Sequence, residues 1–130
     1  MSKVYLAGPI NGCNDDECRT WRESFKGAWY GSTLDPMRRD YRGCENASYR
    51  EIVELDKIDI RAADVILVNY VKPSIGTSME IFYAHSIGKP VITICSPDNF
   101  GKLSPWLVYH STTFVTSIDG ALDACVRVTT

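Results

Sequence analysis

The segment from Asp64 to His85 does most to limit what this chain can fold into. Asp64-Val-Ile-Leu-Val-Asn-Tyr-Val71 is a short apolar run, Lys72 to Ser78 is rich in Ser, Thr, Pro and Gly, and Met79 to His85 is helix-compatible. An apolar run of this length bounded by turn residues reads as a strand buried on both faces, as in a parallel sheet covered by helices. The helix that follows is expected from Ser78 to Ile87, stopped by Gly88-Lys89-Pro90. Glu80 then falls in its first turn. Open α/β sheets bind ligands at the carboxyl ends of their strands, and the N–H groups of a helix start suit an anion. The expected ligand is a small phosphorylated or polar molecule.

The same alternation continues in both directions. Lys3 to Ile10 reads as a strand that turns at Gly8-Pro9 into a loop at Asn11-Gly12. A helix is expected from Asp15 to Tyr30, with Asn14 and Glu17 spaced as a capping box and Trp21, Phe25, Ala28 and Trp29 as its apolar face. Ser32 to Asp35 reads as a second strand, and the basic, aperiodic Pro36 to Gly43 as a loop able to close over a ligand. Ser48 and Glu51 are spaced to cap a helix whose apolar positions are Ile52, Val53, Leu55, Ile58, Ile60 and Ala63. Beyond the central segment, Val91 to Cys95 and Phe114 to Ile118 read as strands. Ser104-Pro105 to Tyr109 and Asp119 to Val128 read as helices. Strands alternating with helices imply a single three-layer α/β domain over residues 1–130, with five parallel strands in the flavodoxin-like order 2-1-3-4-5.

Composition excludes several function classes. With 14 Lys and Arg against 16 Asp and Glu, and no basic run, a nucleic-acid polymer is not the expected partner. There is neither an apolar run of about 18 residues nor a secretory leader pattern, so no membrane partner is expected and the protein reads as cytoplasmic. Five cysteines without a C-x-x-C pair suggest reduced thiols rather than a disulfide framework or a zinc site. The two histidines, His85 and His110, are too isolated for a metal centre. No cofactor is called for.

In this topology the first and third strands are neighbours, which brings Tyr5 to Ile10 beside the loop from Ser74 to Glu80. The helix carrying Asp56 and Asp59 leads into the third strand, so Glu80 and Asp56 can face one cleft. Paired carboxylates suit glycosidic bond cleavage, one attacking or stabilising the sugar carbon while the other handles a proton on the leaving group. The helix dipole should keep Glu80 ionised as nucleophile, and desolvation should keep Asp56 protonated as acid. Plainer roles fit the same residues: Thr77-x-x-Glu80 is a capping box, Asp56 and Asp59 suit a solvated helix face, and Tyr5 suits a core position.

These pieces together resemble the nucleoside 2-deoxyribosyltransferase superfamily, in particular its 2'-deoxynucleoside 5'-monophosphate N-glycosidase branch. The matching residues are Val4-Tyr5-Leu6-Ala7-Gly8-Pro9-Ile10, Leu34-Asp35 with Tyr41-Arg42-Gly43, Asp56 with Ala63-Asp64, Pro73-Ser74-x-Gly76-x-x-x-Glu80, Tyr83-Ala84 and Gly88-Lys89-Pro90. The resemblance implies a retaining reaction. Glu80 attacks the anomeric carbon to form a glycosyl ester, Tyr5 positions that carboxylate, and Asp56 assists departure of the base. Water or a second base then releases the sugar.

It also implies a substrate site formed by Gly8, Pro9, Ile10, Asn11, Asp35, Arg42, Ser74, Gly76, Ser78 and Met79. Ser104 would be contributed across a homodimer interface. Serine at position 74, where relatives acting on unphosphorylated nucleosides tend to carry an acid, favours a 5'-phosphate, and Tyr5 favours deoxyribose. Asn11 stands where the nucleotide branch often has arginine, so positive charge is expected instead from Arg19, Arg38, Arg39 or Arg42. The competing functions are base exchange on unphosphorylated deoxynucleosides and a nucleotide-binding module without turnover.

Overall fold

A computed structural model describes residues 2–130. The five strands are β1 (Lys3–Ala7), β2 (Ser32–Leu34), β3 (Val65–Asn69), β4 (Val91–Ile94) and β5 (Thr113–Val115). Five helices connect and close them: α1 (Asp15–Ala28), α2 (Tyr49–Ala62), α3 (Ile75–Ser86), α4 (Pro105–His110) and α5 (Ile118–Thr129). All pairings are parallel, in the order β2-β1-β3-β4-β5, as the alternating pattern implies.

Strand alternation divides the core into two layers of contact. Val4, Leu6, Val65, Leu67, Ile92 and Ile94 face Trp21, Phe25 and Trp29 of α1 and its flank, together with Ala121, Ala124 and Cys125 of α5. Tyr5, Ala7, Ile66, Val68 and Val91 face Ile60 and Ala63 at the end of α2, Ile81 and Ala84 of α3, and Leu107 of α4. Each fully buried aliphatic side chain contributes about 1.5–3 kcal/mol. All five cysteines are free thiols, and among the described residues no helix is long and apolar enough to cross a membrane.

Local signals account for most helix ends. The capping box of Asn14 and Glu17 is present, and Cys13 just before the cap clusters with Cys18 as a small apolar staple. Gly88, with φ 80°, takes the left-handed turn that stops α3.

Four expectations are corrected. Strands end earlier than the apolar runs suggest, β1 at Ala7 and β3 at Asn69, while Pro97–Lys102 forms an unforeseen 3-10 helix. In α1, Ala28 is exposed and Arg22 takes the place on the inward face. Ser48 makes no side-chain cap to α2, and Glu51 bonds the Tyr41 hydroxyl instead. Finally, α3 starts at Ile75, capped by Ser74, so Glu80 lies in the second turn rather than the first.

Candidate active site

Tyr5 points from β1 into the layer beneath α2 and α3 and is wholly buried. Its hydroxyl donates a hydrogen bond to Glu80 Oε2. Asp56, on the preceding helix, completes the group: its charge bears on both Glu80 and Tyr5. Three chain segments distant in sequence thus meet at one point of the sheet's carboxyl edge.

The proton distribution differs from the sequence expectation. Glu80 is too far along α3 for the first-turn N–H groups to hold its charge. Burial, reinforced by the negative charge of Asp56, pushes its carboxyl from 4.5 up to about 8. Burial also raises Asp56, but only to about 6, because the Arg39 guanidinium and the Tyr5 hydroxyl favour its anion. The Tyr5 phenol is raised well above 10, first by burial and then by the two carboxylates, and stays protonated. Burial and mutual repulsion thus raise both carboxyls above their ordinary range. Around neutrality the pair shares roughly one proton.

Two acids three positions apart on α2 have different partners. Asp59 is buried and accepts from Arg38 at 2.8 Å to both oxygens and from Arg39 at 2.7 Å. Asp56 has a longer contact with Arg39, at 3.6 Å. Two guanidinium groups saturate Asp59, while Asp56 keeps free acceptor capacity.

The remaining expected site residues fall into three groups. Gly8 and Pro9 are buried behind β1, Ile10 is partly covered and Asn11 is exposed. A side chain at Gly8 is excluded, because a Cβ there would lie 2.9 Å from the Trp21 ring. On α3, Gly76, Ser78 and Met79 are exposed, while Ser74 Oγ accepts the Thr77 N–H and Ser78 Oγ donates to the Ser74 carbonyl. Among the described residues the Ser74 hydroxyl acts only as an acceptor. Ser104 caps α4 and lines a groove of about 240 Å³ with Ser78, Tyr70, Phe82 and Trp106, apart from the carboxylate pair.

Asp35 and Arg42 are engaged within the protein rather than presented to a ligand. Asp35 accepts from the Met37 N–H and pairs with Lys26 at 2.5 Å and Arg22 at 3.5 Å. Arg42 binds Asp40, Asp15 and the Cys13 carbonyl. The other expected phosphate-binding arginines are paired as well, Arg19 with Asp40 and Arg38 and Arg39 with Asp59. Among the described residues no cluster of His, Cys, Asp and Glu could hold a metal ion.

Sequence reasoning missed Arg22. Ser32 N–H donates to the Ser2 carbonyl and Asp64 N–H to that of Lys3, so even-numbered carbonyls along β1 face β2. The register, with Tyr5 opposite Leu34, brings Pro36 to the position that should serve the Leu6 carbonyl, and proline has no N–H. Arg22 supplies the missing donors, to Leu6 O and Gly8 O at 3.2 Å each and to Cys18 O at 2.6 Å. The signal in the sequence was an arginine four residues after Cys18 and three before Phe25, inside the apolar stripe.

Comparison with known proteins shows the family and the fold. The sequence pattern of the family described as nucleoside 2-deoxyribosyltransferase matches residues 4–104. A Mus musculus protein, 5-hydroxymethyl-dUMP N-hydrolase, is 30% identical over 106 residues. That match covers 78% of this chain and 61% of the mouse protein, so the chain spans about three fifths of that relative's length. The solution structure of BlsM is similar with a TM-score of 0.72 at 27% identity, covering 98% of this chain and 94% of the other. The 2-deoxyribosyltransferase of Bacillus psychrosaccharolyticus also has a TM-score of 0.72, at 15% identity over 94% of this chain and 91% of its own, a likeness of fold alone.

Proposed function

The chain belongs to the nucleoside 2-deoxyribosyltransferase family, and from that membership we propose that it hydrolyses the N-glycosidic bond of a 2'-deoxynucleoside 5'-monophosphate. The products are free base and deoxyribose 5-phosphate. The observation that carries this reading is the convergence of Tyr5, Asp56 and Glu80, with one proton shared between two carboxyls. The N-hydrolase named among its relatives supports a monophosphate substrate.

The geometry suggests an order of events. Attack by Glu80 on the anomeric carbon requires its anion, and departure of the base requires a proton. Transferring the shared proton from Glu80 to Asp56 supplies both at once. The positive charge developing on the sugar as the bond to the base lengthens favours that transfer, because it stabilises the neighbouring Glu80 anion. The Tyr5 hydroxyl, locked in its protonated form, holds one Glu80 oxygen and leaves the other to bond with carbon. Base departure with the Asp56 proton leaves a glycosyl ester on Glu80. Asp56, now a base, removes a proton from the water that cleaves the ester.

We place the 5'-phosphate at Ser74 and the start of α3, where a hydroxyl and the N–H groups of the first turn collect. Ser104 is assigned to the partner's site in a homodimer. Trp106 and Tyr109 on α4 and Phe82 on α3 support this, as large apolar side chains exposed at 70%, 72% and 53% beside the Ser104 groove.

The test is incubation with a panel of deoxy- and ribonucleoside monophosphates, with separation of products. Base release that Glu80→Ala abolishes is expected, and intact substrates throughout would reject hydrolysis. A second reading, base exchange on unphosphorylated deoxynucleosides, is favoured by one observation: the loop arginines expected to meet a phosphate are all tied to carboxylates. Turnover only with an added acceptor base, and no preference for the phosphate, would select it.

A further inference from the structure

We propose that Asp59 is a positioning residue for Asp56: by holding Arg39 in a close ion pair, it keeps that guanidinium from closing on the carboxylate that receives and delivers the proton. The role rests on the reading of Asp56 as the proton carrier of the hydrolysis. A single nitrogen joins the two acids. Arg39 Nη2 lies 2.7 Å from Asp59 Oδ2 and 3.6 Å from Asp56 Oδ1. The shorter distance is a charge-assisted hydrogen bond, and the longer is an ion contact without one.

The helix sets up this competition. Asp56 and Asp59 are three positions apart on α2, so their side chains are neighbours on one face. The 3-10 turn Pro36–Arg38, after β2, delivers Arg38 and Arg39 to that face. Arg38 has a second anchor, since its Nη1 donates to the Asp35 carbonyl at 2.9 Å. Among the described residues the Arg39 side chain meets these two carboxylates alone. Asp59 takes it because a buried carboxylate depends more on its cations, and the Asp59 side chain is 9% exposed against 23% for Asp56. Closing the longer gap to hydrogen-bond distance needs a shift of about 1 Å.

The groups facing Asp56 come from every element around it. Tyr5 on β1 hydrogen-bonds its carboxylate, Glu80 on α3 repels its anion, and Arg38 and Arg39 attract it. Tyr41, in the loop after the 3-10 turn, also faces Asp56 but gives its hydroxyl to Glu51. Asp59 repels the Asp56 anion from the same helix. Burial raises the Asp56 carboxyl to about 6 against the pull of Arg39. Neutralising Asp59 would end its repulsion and release Arg39 at once, and both changes favour the Asp56 anion.

The test separates this role from simple anchoring of the loop. Asp59→Asn keeps the shape and one carbonyl oxygen but removes the charge. Carboxyl carbon resonances of protein labelled with ¹³C-aspartate, with Asp56 identified by its absence in Asp56→Asn, report the ionisation midpoint directly. Asp59→Asn should lower that midpoint by about one pH unit. The proton must then climb a wider gap from Glu80, so kcat should fall about tenfold with KM near the parent's. In Arg39→Gln the midpoint should rise, and adding Asp59→Asn to that variant should shift it by less than half the drop seen in the parent background.

A residue that merely anchors the loop would lower stability and raise KM while leaving the Asp56 midpoint in place. An unmoved or raised midpoint in Asp59→Asn, or an equal drop with and without Arg39, would overturn the proposal. If Asp59→Asn does not fold, Arg39→Gln decides, because an unmoved midpoint there breaks the link through which Asp59 acts. An unmoved midpoint in a protein that still releases base rejects the role of Asp59 and leaves hydrolysis standing. A lowered midpoint without base release from any monophosphate, in the parent as well, rejects hydrolysis and leaves the coupling of Asp59 to Asp56 in place.

Discussion

Replacing Glu80 by glutamine should stabilise the protein, and by an amount that depends on pH. The Glu80 carboxyl ionises at an ordinary 4.5 in the unfolded chain and at about 8 in the folded one. Between those values the folded protein holds a proton that the unfolded chain has released. For a group whose folded value is raised, stability is greatest below the unfolded value and falls as pH climbs through the folded one. With about 1.4 kcal/mol for each pH unit, the parent loses about 3 kcal/mol between pH 5 and pH 8 through this residue.

Glutamine matches the shape of the protonated acid and keeps an oxygen for the Tyr5 hydroxyl, but has no charge to desolvate. Glu80→Gln should therefore exceed the parent by about 3 kcal/mol at pH 8 and by no more than about 1 kcal/mol at pH 5. For a chain of this length that gap corresponds to roughly 10 °C in Tm. Urea unfolding of both proteins at pH 5, 6.5 and 8 measures it. A gap equal at pH 5 and pH 8, or a glutamine variant less stable than the parent at pH 8, would refute the assignment of Glu80 as a desolvated acid.

Other outcomes follow from the same contacts. Tyr5→Phe deletes the hydroxyl held by Glu80, and steady-state kinetics should show kcat/KM lowered about 10- to 100-fold, the worth of a hydrogen bond to a charged group. Thr77 Oγ1 is buried with no hydrogen-bond partner among the described residues, so Thr77→Val should raise stability by about 1 kcal/mol in urea unfolding; a loss of that size would show that the hydroxyl is satisfied. Arg39→Ala removes the cation that favours the Asp56 anion. NMR titration should then find the lower carboxyl midpoint above about 6, and a fall would contradict the pairing.

The architecture was legible because its signals are local. Asn14 with Glu17, Gly88 before Pro90, and the apolar run beginning at Val65 each announce an element from adjacent residues, and five such units leave little choice of topology. The start of α3 was not legible, since Ser74-x-x-Thr77 and Thr77-x-x-Glu80 are both plausible caps. Sequence cannot rank two hydroxyl caps three residues apart. Choosing Ser74 moves Glu80 by one turn, from the positive end of a helix to a desolvated position against Tyr5, and that reverses its expected proton affinity. The pairing of the loop arginines was equally hidden, because it depends on which acids α1 and α2 present across space. Arg22 was hidden for another reason: its partners are backbone carbonyls, and one of them, that of Leu6, lacks a ladder donor because Pro36 follows the neighbouring strand.

The difference between Asp56 and Asp59 shows how the fold separates a structural acid from a reactive one without changing residue type. Both lie on the last turns of α2, and both are within reach of Arg39. Asp59 receives three short bonds from two guanidinium groups, which fixes the loop after β2 against the helix. Because Arg39 is spent chiefly on Asp59, its 3.6 Å contact with Asp56 restrains that carboxyl without satisfying it. Asp56 is left ionising at about 6, below the Glu80 value of about 8 and close enough for one proton to pass between them. Had Arg39 bonded Asp56 as closely as it bonds Asp59, Asp56 would be a weaker acceptor for the proton that must pass to it from Glu80 before the base can leave. The arginine pair bound to Asp59 therefore sets the chemistry one helical turn away, by leaving Asp56 incompletely paired.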